Sequence, residues 1–169
     1  MVGLKLKLRP EEQILINGAI IQNGLKQVEL TVKTPGTRIL RLRDAIHPED
    51  ATTPVKRVCY IAQLAVAGEV TDNEAYKDFT AGVAALQNVF HDKGSQDTMK
   101  LALEHAEIHD FYKAMQAMRK MIKYEEVLFS RLNMLEDMMP ENQEADDIIN
   151  ALSSLKNRLG DGLDAKPLS

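Results

Sequence analysis

Polar and apolar positions alternate strictly at the start of the chain. Leu4, Leu6 and Leu8 are separated by Lys5, Lys7 and Arg9, the period of two that sends successive side chains to opposite faces of a strand. Ile14-Leu15-Ile16 runs into Asn17-Gly18, and Ala19-Ile20-Ile21-Gln22 runs into Asn23-Gly24. Asn and Gly both tolerate positive φ, so each pair predicts a tight turn between short strands. Val28, Leu30 and Val32 alternate with Glu29, Thr31 and Lys33. Pro35-Gly36 suits the centre of a type II turn, and Leu40 and Leu42 then alternate with Arg41 and Arg43. Five short strands joined this way predict an antiparallel meander or a small open barrel.

After residue 44 the period changes. Asp44 to Asp50 reads as a connector with one helical turn. Thr53-Pro54 marks a helix start, a capping residue followed by Pro at the first helical position. Val55, Val58, Cys59, Ile61, Ala62 and Ala65 form the apolar face of that helix, which should stop near Gly68. Thr71 and Glu74 have the spacing of a capping box. Tyr76, Phe79, Val83, Leu86 and Phe90 follow as an amphipathic stripe.

Asp92-Lys93-Gly94-Ser95 breaks the stripe, with Ser95 as the expected cap of one long helix over 96–138. Its main stripe is Leu101, Ile108, Phe111, Met115, Met118, Ile122, Phe129 and Leu132. A second stripe, Ala114, Ala117, Met121, Tyr124, Leu128 and Leu135, lies beside it, so the helix should touch more than one neighbour. Pro140 should end it, and Ile148, Ile149, Leu152, Leu155 and Leu159 predict a shorter helix stopping at Gly160. The expected class is α+β. A small antiparallel β module spans 1–46, a helical region with a long helix and a coiled-coil-like hairpin spans 47–160, and 161–169 is a disordered tail.

Composition narrows the function classes. The chain has 169 residues, 44% of them hydrophobic and 27% charged, enough for a soluble core. No apolar run approaches the ~20 residues of a membrane span. No apolar segment of a secretory signal follows Met1, and Cys59 is the one cysteine, so a reducing, cytoplasmic setting is expected. The net charge of −4 hides an asymmetry. Residues 1–60 carry ten basic and six acidic side chains, a net of +4, and residues 61–169 carry 11 and 19, a net of −8. A basic head on an acidic body is the charge pattern of a chain with an anionic partner.

Enzyme chemistry finds no foothold. No phosphate loop, dinucleotide fingerprint, Ser elbow or paired-Cys site is present. His105 and His109 stand four apart, but Glu107 departs from the H-E-x-x-H order, and a solvated helix face explains them better than zinc. Cys59 sits on an apolar stripe and reads as core. No catalytic residue, metal or cofactor is expected. Met115, Met118 and Met121, with Ile122, have the spacing of a core stripe and the adaptability of a groove for a partner. The sharper feature is basic. Lys5, Lys7 and Arg9 share one strand face and Arg41 and Arg43 another, with Arg38 near the turn and Lys56 and Arg57 at the first helix. In one sheet these cations would converge on the solvent side as a phosphate-binding surface. Residues 1–59 hold no aromatic side chain, so contact would rest on charge and not on base stacking.

Three segments resemble one family. Ile16-Asn17-Gly18-Ala19-Ile20-Ile21-Gln22-Asn23-Gly24 is similar to the doubled Asn-Gly segment near the start of FlbT proteins. Ala51-Thr52-Thr53-Pro54-Val55-Lys56-Arg57 resembles the motif that follows their strand region. Tyr112-Lys113-Ala114 through Met121-Ile122-Lys123-Tyr124-Glu125 resembles their downstream helix. Order and spacing agree over roughly residues 3–135. The resemblance implies a post-transcriptional regulator of flagellin synthesis in flagellum assembly. It would bind the 5′ untranslated region of flagellin mRNA, repressing translation or promoting decay. The alternative is a non-catalytic adaptor or chaperone for flagellin or another flagellar regulator. An open edge strand and the two-striped helix also leave room for a homodimer.

Overall fold

The computed structural model describes residues 3–138, together with Asn150 and Ser154. The helix expected over 148–159, its stop at Gly160, the break at Pro140 and the tail over 161–169 lie outside the described residues, Asn150 and Ser154 apart. Five strands come first: β1 (Leu4–Leu8), β2 (Gln13–Ile16), β3 (Ala19–Gln22), β4 (Val28–Val32) and β5 (Ile39–Arg41). Short 3-10 turns at Leu42–Asp44 and Pro48–Asp50 lead into α1 (Pro54–Ala67), α2 (Asp72–Gln87), α3 (Lys93–Glu107) and α4 (Phe111–Met138). The chain is α+β, as its patterning predicts.

The strands do not form a meander. β1 pairs with β4 in a two-stranded antiparallel ribbon, and a separate sheet has the order β3-β2-β5. The two Asn-Gly pairs act differently. Asn17 and Gly18 both take positive φ, 47° and 84°, and close the β2–β3 hairpin with Ile16 opposite Ala19. Asn17 also accepts from the Arg38 amide through Oδ1 and donates its own amide to the Arg38 carbonyl, each at 2.9 Å, which fixes β5 beside β2. Asn23 makes a corner. Its Nδ2 donates to the Arg9 carbonyl at 2.7 Å and the Lys26 carbonyl at 2.8 Å, turning the chain out of one sheet and into the other. Pro35-Gly36 turns as expected, with Gly36 at φ 72°. The alternation through Leu42 and Arg43 is not a strand, because the backbone tightens into a 3-10 turn there.

Caps set the helices. The Thr53 hydroxyl accepts from the Lys56 amide, Pro54 occupies the first turn of α1, and Gly68 at φ 80° ends it. The Thr71–Glu74 capping box opens α2. α1 is buried on nearly every side, because β5, α2 and α4 all pack on it. Its Gln63 is satisfied inside, accepting from the Ile46 amide at 2.7 Å and donating to the Ile46 carbonyl at 2.9 Å. A Cβ on Gly82 of α2 would stand 2.6 Å from Val58 Cγ2, so glycine lets α1 and α2 approach closely.

The single helix expected over 96–138 is two. Asp92, not Ser95, caps α3, accepting from the Ser95 amide at 2.8 Å. α3 then closes in a Schellman arrangement. His109 takes φ 58° and donates to the Ala106 carbonyl, and Asp110 donates to the His105 carbonyl. Asp110 in turn caps α4 by accepting from the Lys113 amide at 3.2 Å. Leu101 and Ile108, placed on the buried stripe by periodicity, are therefore exposed. Met99, Ala102, Ala106, Phe111, Met115 and Met118 fill one core with Phe79, Val83 and Leu86, and Leu15 and Leu40 bring the three-stranded sheet into that core. Among the described residues, no helix is long and apolar enough to cross a membrane.

Candidate nucleic-acid interface

The register of the ribbon builds a cationic face. Lys5 stands opposite Thr31 and Lys7 opposite Glu29, while Leu4, Leu6 and Leu8 face the other way with Val32, Leu30 and Val28. Arg9 and Lys33 follow directly after the last residues of β1 and β4. Lys33 is absent from the basic set expected for binding, although its alternation with Val32 marks it. Lys5 pairs with Glu29 at 3.3 Å across the strands. Among the described residues, Lys7, Arg9 and Lys33 enter no side-chain ion pair, and all three are exposed.

The arginines expected beside them have other work. β1 and β5 lie in different sheets, so the six strand cations do not share a face. Arg41 donates to Glu12 Oε1 at 2.6 Å and to the Lys7 carbonyl at 3.2 Å, clipping the ribbon to β5. Arg43 Nε lies 3.4 Å from the same Glu12 oxygen. The Arg9 amide donates to Glu12 Oε2 at 2.7 Å. Glu12 is 7% exposed. The Arg9 amide, followed by the Arg41 and Arg43 charges, holds its carboxyl below the usual range against the upward pull of burial. Arg38 donates to the Ala65 carbonyl at 2.6 Å and to Asp72 at 2.7 Å, tying the β module to the C-terminal end of α1 and the start of α2.

Lys56, half-buried, lies beside a second node at the first turn of α1, while Arg57, also half-buried, has its Nε enclosed without a hydrogen-bond partner among the described residues. Glu125 of α4 accepts from the Val55 amide at 2.9 Å and from the Thr53 hydroxyl. Burial pushes the Glu125 carboxyl up, opposed by these two hydrogen bonds and by Lys56. A raised carboxyl gives stability that is full below its unfolded value and is lost as pH rises through the folded one. Glu125→Gln keeps an acceptor and removes the buried charge. Its melting temperature relative to the parent is therefore expected to rise between pH 4 and pH 8, and a constant or falling difference would refute this reading of the node.

Other candidates resolve into structure. Cys59 is fully buried, and burial pushes its thiol up to about 12, which leaves it inert. Met115, Met118 and Met121 are spent on the core and Ile122 packs against it, so they form no open groove. The Schellman turn takes His109 off the helix that carries His105. No group of three or more metal-ligating side chains occurs among the described residues. Pattern reading missed a cleft of about 600 Å³ between the ribbon and the α3–α4 turn, lined by Leu4, Leu6, Arg38, Ile39, His109 and Tyr112 among others. These residues are distant in sequence, and no local period joins them.

Residues 4–129 match the family described as flagellar protein FlbT. The chain belongs to the FlbT family. It is 29% identical over 124 residues to the flagellum biosynthesis repressor protein FlbT of Caulobacter vibrioides (strain ATCC 19089 / CIP 103742 / CB 15), covering 73% of this chain and 86% of the relative. It is 30% identical over 129 residues to the probable flagellum biosynthesis repressor protein FlbT of Rhodopseudomonas palustris (strain TIE-1), covering 76% and 98%. No solved structure matches. The segments that resemble FlbT proteins lie at the joints of this fold. Asn17 holds β5, and Thr53 meets Glu125 across α1 and α4.

Proposed function

We propose that this FlbT-family chain is a non-catalytic, cytoplasmic regulator of flagellin synthesis. It binds the 5′ untranslated region of flagellin mRNA and represses translation or promotes decay. Relatives named as flagellum biosynthesis repressors support the regulatory part. One observation carries the RNA part: Lys5 and Lys7 share one face of the β1–β4 ribbon with Glu29, and the exposed Arg9 and Lys33 follow directly at the strand ends. The ribbon offers no aromatic platform, so binding is electrostatic and tracks the phosphate backbone. The acidic helical body repels RNA elsewhere and confines contact to the ribbon.

The test is titration of a labelled flagellin leader RNA with the purified chain at several salt concentrations. Three or four neutralised phosphates at ~0.7 each give a log–log slope of about −2 to −3. No binding at low salt, or affinity indifferent to salt, overturns the proposal. The adaptor reading draws on the cleft, whose rim exposes Leu4, Ile108 and Tyr112. Co-purification with flagellin that survives nuclease, without binding of RNA by the chain alone, would favour it.

A further inference from the structure

We propose that the outer edge of β4 is a docking surface for the same edge of a second copy of this chain. The two long edges of the ribbon are not equivalent. β1 lies toward the body, since Arg41 donates to the Lys7 carbonyl and Leu4 and Leu6 line the cleft. Beyond its pairing with β1, β4 has no ladder partner among the described residues. A two-stranded ribbon is marginal alone, and this one leaves apolar side chains in water, Leu4 at 56% and Val28 at 43% exposure.

The sequence of β4 is complementary to itself. A two-fold axis through Leu30 sets Val28 against the partner's Val32, Glu29 against the partner's Thr31, and Leu30 against the partner's Leu30. Apolar residues then meet apolar residues on one face, and no like charges stand directly opposite. Just beyond the strand, Lys33 meets the partner's Gln27. The same operation on β1 sets Lys5 against the partner's Lys7, which repels. Among the described residues β3 and β5 are the edges of the other sheet, which is already anchored in the main core through Leu15 and Leu40. Joining two copies at β4 gives a four-stranded antiparallel sheet, β1-β4-β4-β1. One side is a continuous apolar face, and the other carries both sets of Lys5 and Lys7, with Arg9 and Lys33 following at the strand ends. The docking stands on edge geometry and charge, independent of whether the chain binds RNA.

Light scattering after size exclusion of the full chain should give twice the 18.9 kDa chain mass. Thr31→Glu is the discriminating variant. Within one copy it faces Lys5 and does not strain the ribbon, but across the axis it faces the partner's Glu29. It should weaken dimerisation at least tenfold with the melting curve of the separated chain intact. Under mild oxidation Leu30→Cys should cross-link as a dimer and Ile20→Cys should not, while buried Cys59 stays silent. A monomer at every concentration, unchanged dimerisation of Thr31→Glu, or cross-linking through position 20 and not 30 overturns the proposal.

Discussion

Replacing Glu12 with alanine is expected to destabilise the chain by about 2 to 3 kcal/mol, lowering its melting temperature by about 8 °C. Three donors converge on this one buried carboxylate: the Arg9 amide, the Arg41 guanidinium and Arg43 Nε. Alanine removes that acceptor from all three and weakens the clip between ribbon and β5, leaving Arg41 the Lys7 carbonyl and Arg43 the Asp44 carboxylate at 3.7 Å. Fully buried pairs broken this way cost up to ~5 kcal/mol. Arg41 and Arg43 keep 23% and 40% of their side-chain exposure, so water recovers part of that. The pH dependence has a fixed sign. The Glu12 carboxyl is lowered in the fold, so its contribution is present above the unfolded value and is lost as pH falls through the folded one. Thermal melts of parent and Glu12→Gln should therefore converge toward acid. A loss below about 1 kcal/mol for Glu12→Ala would show that the arginines are not held by this group.

Neutralising the ribbon as Lys5→Gln, Lys7→Gln and Arg9→Gln together is expected to cut leader-RNA affinity by at least tenfold at low salt. The log–log salt slope should flatten by about 2, because each of the three cations accounts for ~0.7 through the phosphate it neutralises. Stability should change little, because the one ion pair removed is Lys5–Glu29 and both partners are largely exposed. Arg41→Gln with Arg43→Gln is the contrasting variant. It removes the cations that hold Glu12, so its main effect is on the melt. A ribbon variant with parental affinity, beside an arginine variant that loses RNA without losing stability, would return the interface to β5.

What could be read from the chain followed the range of the interactions involved. Thr53-Pro54, Gly68 and the Thr71–Glu74 box were legible because a cap is settled within four residues. The hairpin at Asn17-Gly18 was legible for the same reason. Strand partners were not, because the residues paired between β1 and β4, from Leu8 with Val28 to Leu4 with Val32, are far apart in the chain, and alternation names a face without naming a neighbour. Asn23 looked like a second hairpin, and only its bonds to the Arg9 and Lys26 carbonyls show a corner. The turn at His109 hid because it lacks the usual glycine and because the apolar period runs through it. Asp110, a good capping residue, was the available sign. Met115, Met118 and Met121 have the same spacing whether they fill a core or line a groove, and burial decides for the core. The basic set divided likewise. Lys5, Lys7 and Arg9 remain on the surface that their alternation predicts, while Arg38, Arg41 and Arg43 were claimed by Asp72 and Glu12, acids whose proximity depends on tertiary structure.

Lysine acetylation footprinting of the chain with and without flagellin leader RNA tests the ribbon interface most directly. Protection of Lys5, Lys7 and Lys33, with Lys100 and Lys120 on the helices labelled equally in both samples, is the predicted result. Protection confined to the helices, or no RNA-dependent change at Lys5 and Lys7, would contradict it.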